Sequence, residues 1–142
     1  MKEIPIPYVR TNQAAMVVLI AAGIIFNKPI LILVVWAIEL VGLALGARGN
    51  LFIIIARPFL RKLAQRAEGE AAELQRFNNS IAVFLLSLSV VSILLDWTMA
   101  AYIFAGMVAA AALAAILGYC IGCTLYYQLK QWRLRRNARN QQ

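Results

Sequence analysis

The chain has 142 residues, of which 63% are hydrophobic and 14% charged, and its 14 basic against 6 acidic residues give a net charge of +8. This composition excludes an ordinary soluble domain. The absence of histidine excludes bis-histidine haem, zinc-hydrolase and Ser-His-Asp chemistry. We expect one all-α integral membrane domain over residues 1–142, without a cofactor.

Four apolar segments predict transmembrane helices. A hydrocarbon core about 30 Å thick needs roughly 20 apolar residues per helix, and the candidates are residues 12–27, 29–47, 79–95 and 97–119. Asn27-Lys28-Pro29 and Asp96 interrupt them so briefly that the neighbouring helices must be antiparallel. No small-x-small cleavage site follows the first segment, which argues against a signal peptide. The prediction is four spans in two helical hairpins, 12–47 and 78–127.

The connector, residues 48–77, is predicted to contain an amphipathic helix. Residues 51–56 are apolar but too few to span a membrane. Residues 59–74 mix charges with apolar positions, and Pro58 suits a first helical turn. The expected apolar face consists of Leu60, Leu63, Ala67 and Leu74. We expect this helix on the cytoplasmic surface of the membrane, and an ordinary solvated connector is the alternative.

The basic residues predict the orientation of the spans. Two precede the first span, six lie in the connector region and five in the basic tail, residues 128–142, so thirteen of the fourteen fall on one side and Lys28 on the other. The positive-inside rule then makes both termini cytoplasmic. Beside a membrane span, a basic tail is typical of a topology anchor that contacts anionic lipid. We therefore expect the lipid bilayer as a partner and no nucleic acid.

The two hairpins resemble each other in sequence. Residues 10–13 (Arg-Thr-Asn-Gln) enter the first span and residues 76–79 (Arg-Phe-Asn-Asn) enter the third. Residues 45–52 and 117–126 both begin with Leu-Gly and end with leucine and an aromatic residue. Both units start on the same side, which favours a parallel repeat about an axis along the membrane normal. That symmetry sets Arg48 and Asn50 opposite the cysteines, so Arg48 is a candidate functional residue.

Glu39 is an acidic residue near the middle of the second predicted span. A charge at this depth costs at least about 2.5 kcal/mol on insertion scales, so we expect Glu39 to face the bundle interior, protonated or hydrogen-bonded. Two roles remain open for it. One is proton handling or gating, and the other is a structural polar clamp.

Cys120 and Cys123 are the only cysteines, and they form a Cys-x-x-Cys where the last apolar segment meets the basic tail. Positions i and i+3 share a helix face, with Cα atoms about 5–6 Å apart, within disulfide reach. Three interpretations remain open: a redox-active dithiol whose thiolate is stabilised by nearby arginines, half of a zinc site completed by a dimer or a soluble partner, and small apolar residues at a packed helix end. A structural disulfide is not expected at a reducing cytoplasmic face.

Several of these segments carry a family resemblance. They are Arg10 and Asn12, the glycine-rich end of the second span, Arg57-Pro58, Arg76-Phe77 and, above all, residues 118–126, a Gly-aromatic-Cys-x-Gly-Cys-x-x-Tyr ending. Over nearly the whole chain they resemble a bacterial membrane family, the domain of unknown function numbered forty-three ninety-five. The resemblance implies a multi-pass protein of the bacterial inner (cytoplasmic) membrane, with a functional pattern that includes Cys120, Gly122, Cys123 and Tyr126. Residues 60–62 (Leu-Arg-Lys) depart from a more Gly/Pro-rich stretch in the family.

The leading functional hypothesis is a membrane thiol-redox or sulfur-relay protein. Cys123, nearer water, is expected to attack a partner disulfide, and Cys120, one turn deeper, to resolve the intermediate. The expected partner is a soluble thioredoxin-like or sulfur-carrier protein that docks on the basic face. The alternative is a non-enzymatic component, either an accessory subunit or a small transporter of a thiol, metal or sulfur species, in which Glu39 matters more. An oligomer is compatible with both.

Overall fold

The computed structural model describes residues 3–119 and 121–141. In these residues the chain forms six α-helices, two three-residue strands and one short 3-10 turn. In chain order they are β1 (Glu3–Pro5), α1 (Ile6–Ile25), α2 (Pro29–Leu45), the 3-10 turn (Gly46–Arg48), α3 (Leu51–Arg66), β2 (Gly69–Ala71), α4 (Ala72–Leu94), α5 (Thr98–Ile116) and α6 (Ile121–Asn140). The fold is all-α apart from the two strands.

Four helices are long and apolar enough to cross a membrane. The spans are Ile6–Ile25, Pro29–Arg48, Ala72–Leu94 and Thr98–Ile116. They confirm the predicted architecture of an integral membrane protein with four transmembrane helices in two hairpins. The first span begins six residues earlier than predicted, because a proline in its first turn needs no backbone partner and favours a helix start.

The two hairpin turns share one backbone geometry. Asn27 and Asp96 have φ values of 52° and 59°, a left-handed conformation that asparagine and aspartate tolerate better than other non-glycine residues. The following amides turn back to the preceding helix: Lys28 N donates to Gly23 O and Trp97 N donates to Ser92 O, each at 2.8 Å. The same helix-ending turn therefore folds both hairpins.

The chain is built from two units of the same order, a short strand followed by three helices. β1 precedes α1, α2 and α3, and β2 precedes α4, α5 and α6. In this order α1 corresponds to α4 and α2 to α5. The packing of α1 against α5 is therefore equivalent to the packing of α4 against α2, as expected for a two-fold relation between the units. The strands pair antiparallel with Ile4 opposite Glu70, and they join the two units where their first spans begin. We call this end of the bundle the ribbon end, and the end with Asn27 and Asp96 the turn end.

The core of the bundle is aliphatic and contains a few hydrogen bonds between helices. Its most buried members are Met16, Ile20, Ile32, Val35, Leu86, Ala105 and Val108. Ser89 donates to the carbonyl oxygen of Ala101 at 2.7 Å, from α4 to α5. Trp36 Nε1 donates to Ser87 Oγ at 2.9 Å, from α2 to α4. No hydrophobic force drives helices together within lipid, so such hydrogen bonds help to hold neighbouring helices in a fixed orientation.

The connector differs from its prediction. The helix expected over residues 59–74 runs from Leu51 to Arg66 instead, and the chain then becomes extended into β2. It begins early because the Asn50 side chain accepts from the amides of Phe52 and Ile53, which caps the helix. Pro58 therefore lies inside α3 and not in its first turn. The buried face is formed by Ile53, Ala56 and Ala64, whereas Leu63 is exposed and Leu74 belongs to α4.

The last predicted span also differs. It ends at Ile116 and not at residue 119, and Gly118 adopts a φ of 100° that separates α5 from α6. Cys123 therefore does not end a transmembrane helix but lies in the first turn of a new one. The residues expected as a basic tail continue that helix as far as Asn140.

Candidate functional site

Glu39 is fully buried between the spans, with 0% of its surface exposed. Asn50 Nδ2 donates to its Oε1 at 3.5 Å, and Asn79 Nδ2 donates to its backbone oxygen at 3.2 Å. Among the described residues, Oε2 has no hydrogen-bond partner. The prediction that Glu39 faces the bundle interior, away from lipid, is confirmed.

Asn50 reaches Glu39 because α3 begins beside α2. Its Oδ1 is held by the cap of α3, at 3.0 Å from Phe52 N and 3.3 Å from Ile53 N, which leaves Nδ2 to point at the carboxyl. Gly42 makes room for this approach, since a Cβ there would lie 2.9 Å from Asn50 Nδ2. Gly42, three residues after Glu39 on α2, therefore allows the Asn50 side chain to reach the Glu39 carboxyl.

Glu39 lies in the wall of a cavity of about 130 Å³ between the spans. We call it the polar cavity after its polar lining, which is Asn12, Gln13, Glu39, Gln75, Asn78 and Asn79. The opposite wall is made of small side chains of α5, and Gly122 and Leu125 of α6 also contribute. Glu39 is the only ionisable group among the described residues of this lining. Five amide side chains around one acid make a polar site within an otherwise apolar bundle.

Cys123 lies beside the polar cavity at the ribbon end. Asn78, a cavity residue, has its Nδ2 at 3.9 Å from Cys123 Sγ, and Glu70 Oε1 lies 3.9 Å from the same sulfur. Cys123 is disulfide-bonded, and Cys120 lies outside the described residues. A disulfide sulfur carries no proton, so the contact with Glu70 becomes an S–H···O hydrogen bond only when the sulfur is reduced.

The contacts described for Cys123 Sγ are with a carboxyl and an amide. The guanidinium groups that the sequence predicts near the cysteines stay a prediction. The first turn of α6 places Cys123 near the positive end of the helix dipole, which favours a thiolate. Arg48 is exposed on the 3-10 turn, and it is Asn50, two residues later, that enters the buried cluster.

Glu70 is brought to the sulfur by the pairing of β1 with β2, where it stands opposite Ile4. It is half-buried, and this burial raises the pKa of its carboxyl above the ordinary value, since the charged form is poorly solvated there. A carboxyl with a raised pKa beside a cysteine can take up and return a proton closer to neutral pH than an ordinary glutamate. The sequence analysis missed Glu70, because a three-residue strand gives no periodic signal.

Gly122 is needed for the contact between α6 and α4. A Cβ at this position would overlap Asn78 Oδ1 and lie 2.7 Å from Asn78 Cγ. Only glycine lets Asn78 line the polar cavity and contact Cys123 at the same time. Gly122 was expected in the functional pattern, and its place in the fold is to permit this approach.

Tyr126 fixes the same part of α6 to α4. Its Oη donates to Glu73 Oε2 at 3.0 Å, and its ring lies 5.7 Å from that of Phe77. The hydrogen bond to Glu73 raises the pKa of Tyr126, because the carboxylate accepts only from the neutral phenol. Tyr126, one helical turn after Cys123, thus anchors the helix that carries the cysteine.

Nothing in the sequence connects Glu39 with the cysteine motif, and the structure places Cys123 beside the cavity that Glu39 lines. Asn78 is the link, and Asn12, Asn50 and Asn79 complete the cluster around Glu39. The sequence did contain a signal for three of these asparagines. Amide residues stand at equivalent positions in residues 10–13 and 76–79, where the first and third apolar segments begin. For the half-zinc interpretation, the part of the chain that the structure describes contains no group of three or more Cys, Asp or Glu side chains that could hold a metal ion.

The fold and the site together define a small polytopic α-helical membrane protein with a polar cavity between its spans. Residues 4–131 match the family described as Domain of unknown function (DUF4395). The chain belongs to this family, which is the one that its sequence resembles. No curated protein and no solved structure gives a significant match.

Proposed function

We propose that the chain is a membrane thiol-redox protein that exchanges disulfides, or relays sulfur, with a soluble thioredoxin-like or sulfur-carrier partner. The observation that carries the proposal is the surroundings of Cys123. Its sulfur is in a disulfide, in the first turn of a helix, with a half-buried carboxyl 3.9 Å away. An acid–base group and a helix N-terminus beside a cysteine both favour formation of the thiolate that attacks in thiol–disulfide exchange.

The proposed step begins with the reduced pair. Cys123 gives its proton to the Glu70 carboxylate, and its thiolate attacks one sulfur of the partner disulfide. The S–Cys123 bond forms as the partner S–S bond breaks, and the second partner sulfur leaves as a thiolate that takes a proton. Cys120 then loses its proton to solvent and its thiolate attacks Cys123 Sγ. The bond between Cys123 and the partner breaks, and the other partner sulfur leaves as a thiolate that takes up a proton. Two electrons pass to the partner, which becomes a dithiol, and Cys120 and Cys123 end as a disulfide.

Two neighbours tune this chemistry in opposite senses. The Asn78 amide donates towards Sγ and stabilises a thiolate, whereas an ionised Glu70 disfavours one by repulsion. Glu70 is therefore most useful as the group that accepts the proton and becomes neutral as the thiolate forms. The raised pKa of Glu70 favours this exchange of charge.

The proposed orientation puts the ribbon end at the cytoplasmic face of the bacterial inner membrane. It is supported by the basic residues of α3 and α6, which lie at that end, while Lys28 lies at the turn end. Exposed apolar residues on α3, among them Ile55 and Phe59, are in keeping with a helix at the membrane surface. A soluble partner would meet a basic surface there.

A second candidate function is a non-enzymatic accessory subunit or a small transporter of a thiol, metal or sulfur species. The observation that favours it is the polar cavity, which a pure electron exchanger does not need. In this function Glu39 and the amides around it contact the transported species, and Cys123 is a packing residue at the cavity mouth.

Single thiol variants distinguish the two functions. Reduced Cys120→Ser and Cys123→Ser proteins in nanodiscs are mixed with an oxidised thioredoxin-like protein, and mixed disulfides are counted on non-reducing gels. We expect Cys120→Ser to trap the partner through Cys123, and Cys123→Ser to trap it at least tenfold less. The double serine variant sets the background. Equal trapping by both single variants, or none by either, rejects the thiol-redox proposal.

A further inference from the structure

Three buried oxygen atoms of the polar cavity have no hydrogen-bond partner among the described residues. They are Asn12 Oδ1, Glu39 Oε2 and Asn79 Oδ1. Asn12 is 3% exposed and Glu39 is 0% exposed. The two asparagine oxygens can accept hydrogen bonds or coordinate a cation. Glu39 Oε2 can do the same when the carboxyl group is ionised. Buried acceptors without partners are rare in proteins, so these three atoms indicate a position where a further group binds.

The three residues that carry these oxygens belong to one cluster. Asn79 Nδ2 donates to the backbone oxygen of Glu39 at 3.2 Å, and the Asn12 side chain lies beside the Glu39 carboxyl. Both asparagines and Glu39 line the polar cavity. A group that enters the cavity therefore meets all three residues.

The charge of the cluster is also uncompensated. Among the described residues that line the cavity, Glu39 is the only ionisable side chain, and none of them is a lysine or an arginine. An ionised carboxylate without a counter-charge is costly at membrane depth. A proton would neutralise Glu39, but it supplies one donor for three acceptors. A bound cation both neutralises the carboxylate and engages several oxygens.

We propose that the polar cavity binds a small monovalent cation between the Glu39 carboxylate and the amide oxygens of Asn12 and Asn79. Oxygen ligands suit hard cations, and a single carboxylate balances a single positive charge. An alkali-metal ion and a primary ammonium group share this chemistry, and a cavity of about 130 Å³ admits either. The proposal rests on Glu39 and is independent of the cysteines.

Thermal unfolding in nanodiscs tests the site, because a ligand that binds the folded state raises Tm in a concentration-dependent way. Tm is measured against NaCl, KCl and methylammonium chloride, with N-methylglucamine chloride keeping the ionic strength constant. We expect a saturating rise of Tm with at least one small cation. A response to sodium or potassium alone identifies a metal-ion site, and a response to methylammonium alone identifies an amine site.

Two variants decide whether the rise comes from the cavity. Glu39→Gln keeps the shape but removes the charge and should abolish the rise, whereas Glu68→Gln, at an exposed acid, should keep it. Asn79→Ala should shift the half-saturating concentration upward at least several-fold. The proposal is overturned if all cations act alike, which leaves Glu39 as a protonated clamp, or if Glu39→Gln responds like the unaltered chain.

Discussion

The Nδ2 atom of Asn78 lies 3.9 Å from the Sγ atom of Cys123. Because Asn78 also lines the polar cavity, this contact joins the cysteine at the ribbon end to the cluster around Glu39. The two features of the chain with the most specific chemistry therefore share one site. A change that moves Asn78 should affect the reactivity of the cysteine and the shape of the cavity together.

Glu70→Gln should slow disulfide exchange by Cys123 by about 10²-fold at neutral pH, the lower part of the range for a general base. The pKa of Glu70 is raised by burial, so the carboxylate form that accepts the proton is lost as pH falls through that raised value. The unaltered chain should show this loss of rate at a pH above the ordinary glutamate range, and the variant should not. Stopped-flow exchange against pH measures it.

Stability provides the control for this variant. A carboxyl whose pKa is raised on folding stabilises the fold below its unfolded pKa, and that contribution is lost as pH rises through the folded value. The unaltered chain should therefore lose stability relative to Glu70→Gln as pH rises. If Glu70→Gln exchanges disulfides slowly but is at least as stable as the unaltered chain at neutral pH, unfolding does not explain the lower exchange rate. Equal exchange rates in the two proteins would show that Glu70 is a bystander.

Gly122→Ala should displace Asn78 from Cys123. The added Cβ overlaps the Asn78 side chain, and crowding of this kind costs about 1–3 kcal/mol. Gly106→Ala is the matched control, because a Cβ there meets nothing within 4 Å, and it should stabilise α5 by up to about 1 kcal/mol. Chemical unfolding and the rate of Cys123 alkylation measure the two effects. Indistinguishable behaviour of the two variants would contradict the close approach.

Hydropathy and turn residues were sufficient to predict the membrane fold. The apolar segments have the length of spans, and Asn27 and Asp96 stand at the left-handed positions that end α1 and α4. The apolar residues of the connector alone were not sufficient to predict where its helix begins and ends. Its helix start depends on the Asn50 side chain, and Pro58, a residue type that favours a helix start, lies inside the helix instead.

The site was harder to predict because its parts meet through long-range contacts. Glu70 reaches Cys123 only after Glu3–Pro5 pairs with Gly69–Ala71, two strands of three residues that leave no pattern in the sequence. Glu39 could be predicted as buried from the cost of a charge in lipid. Its amide partners on other helices could not, since helix faces are fixed only when the bundle packs.

Ser89→Ala should destabilise the contact between α4 and α5. Ser89 is fully buried and donates to Ala101 O on the neighbouring span, and such bonds contribute about 0.6 kcal/mol on average in membranes. Ser80 is the control, since it is exposed and donates to Arg76 O within its own helix. Unfolding in mixed micelles should register a loss for Ser89→Ala and almost none for Ser80→Ala. A larger loss at Ser80 would refute the assignment.

Glu73→Gln should lower the pKa of Tyr126 towards its ordinary value. The Tyr126 phenol donates to Glu73, and this bond, with weaker contributions from burial and nearby charge, raises its pKa. The phenolate absorbance of the chain minus that of Tyr126→Phe isolates this one tyrosine against pH. Glu68→Gln, which changes an exposed acid elsewhere, should leave the titration unchanged. An unchanged titration in Glu73→Gln would mean that the hydrogen bond does not hold α6 against α4 in solution.

Reporter fusions should place the C-terminus and Lys28 on opposite sides of the membrane. Four spans return the chain to its starting side, and thirteen of the fourteen basic residues lie on that side or in the ends of the spans next to it. The positive-inside rule predicts that this side is cytoplasmic. A reporter active only in the cytoplasm should work after Gln142 and fail at Lys28, and one active only outside should do the reverse. A fusion at Asp96, in the equivalent turn, should behave like Lys28. Equal sidedness of Gln142 and Lys28 would contradict the four-span topology, and inversion of both reporters would contradict only the orientation.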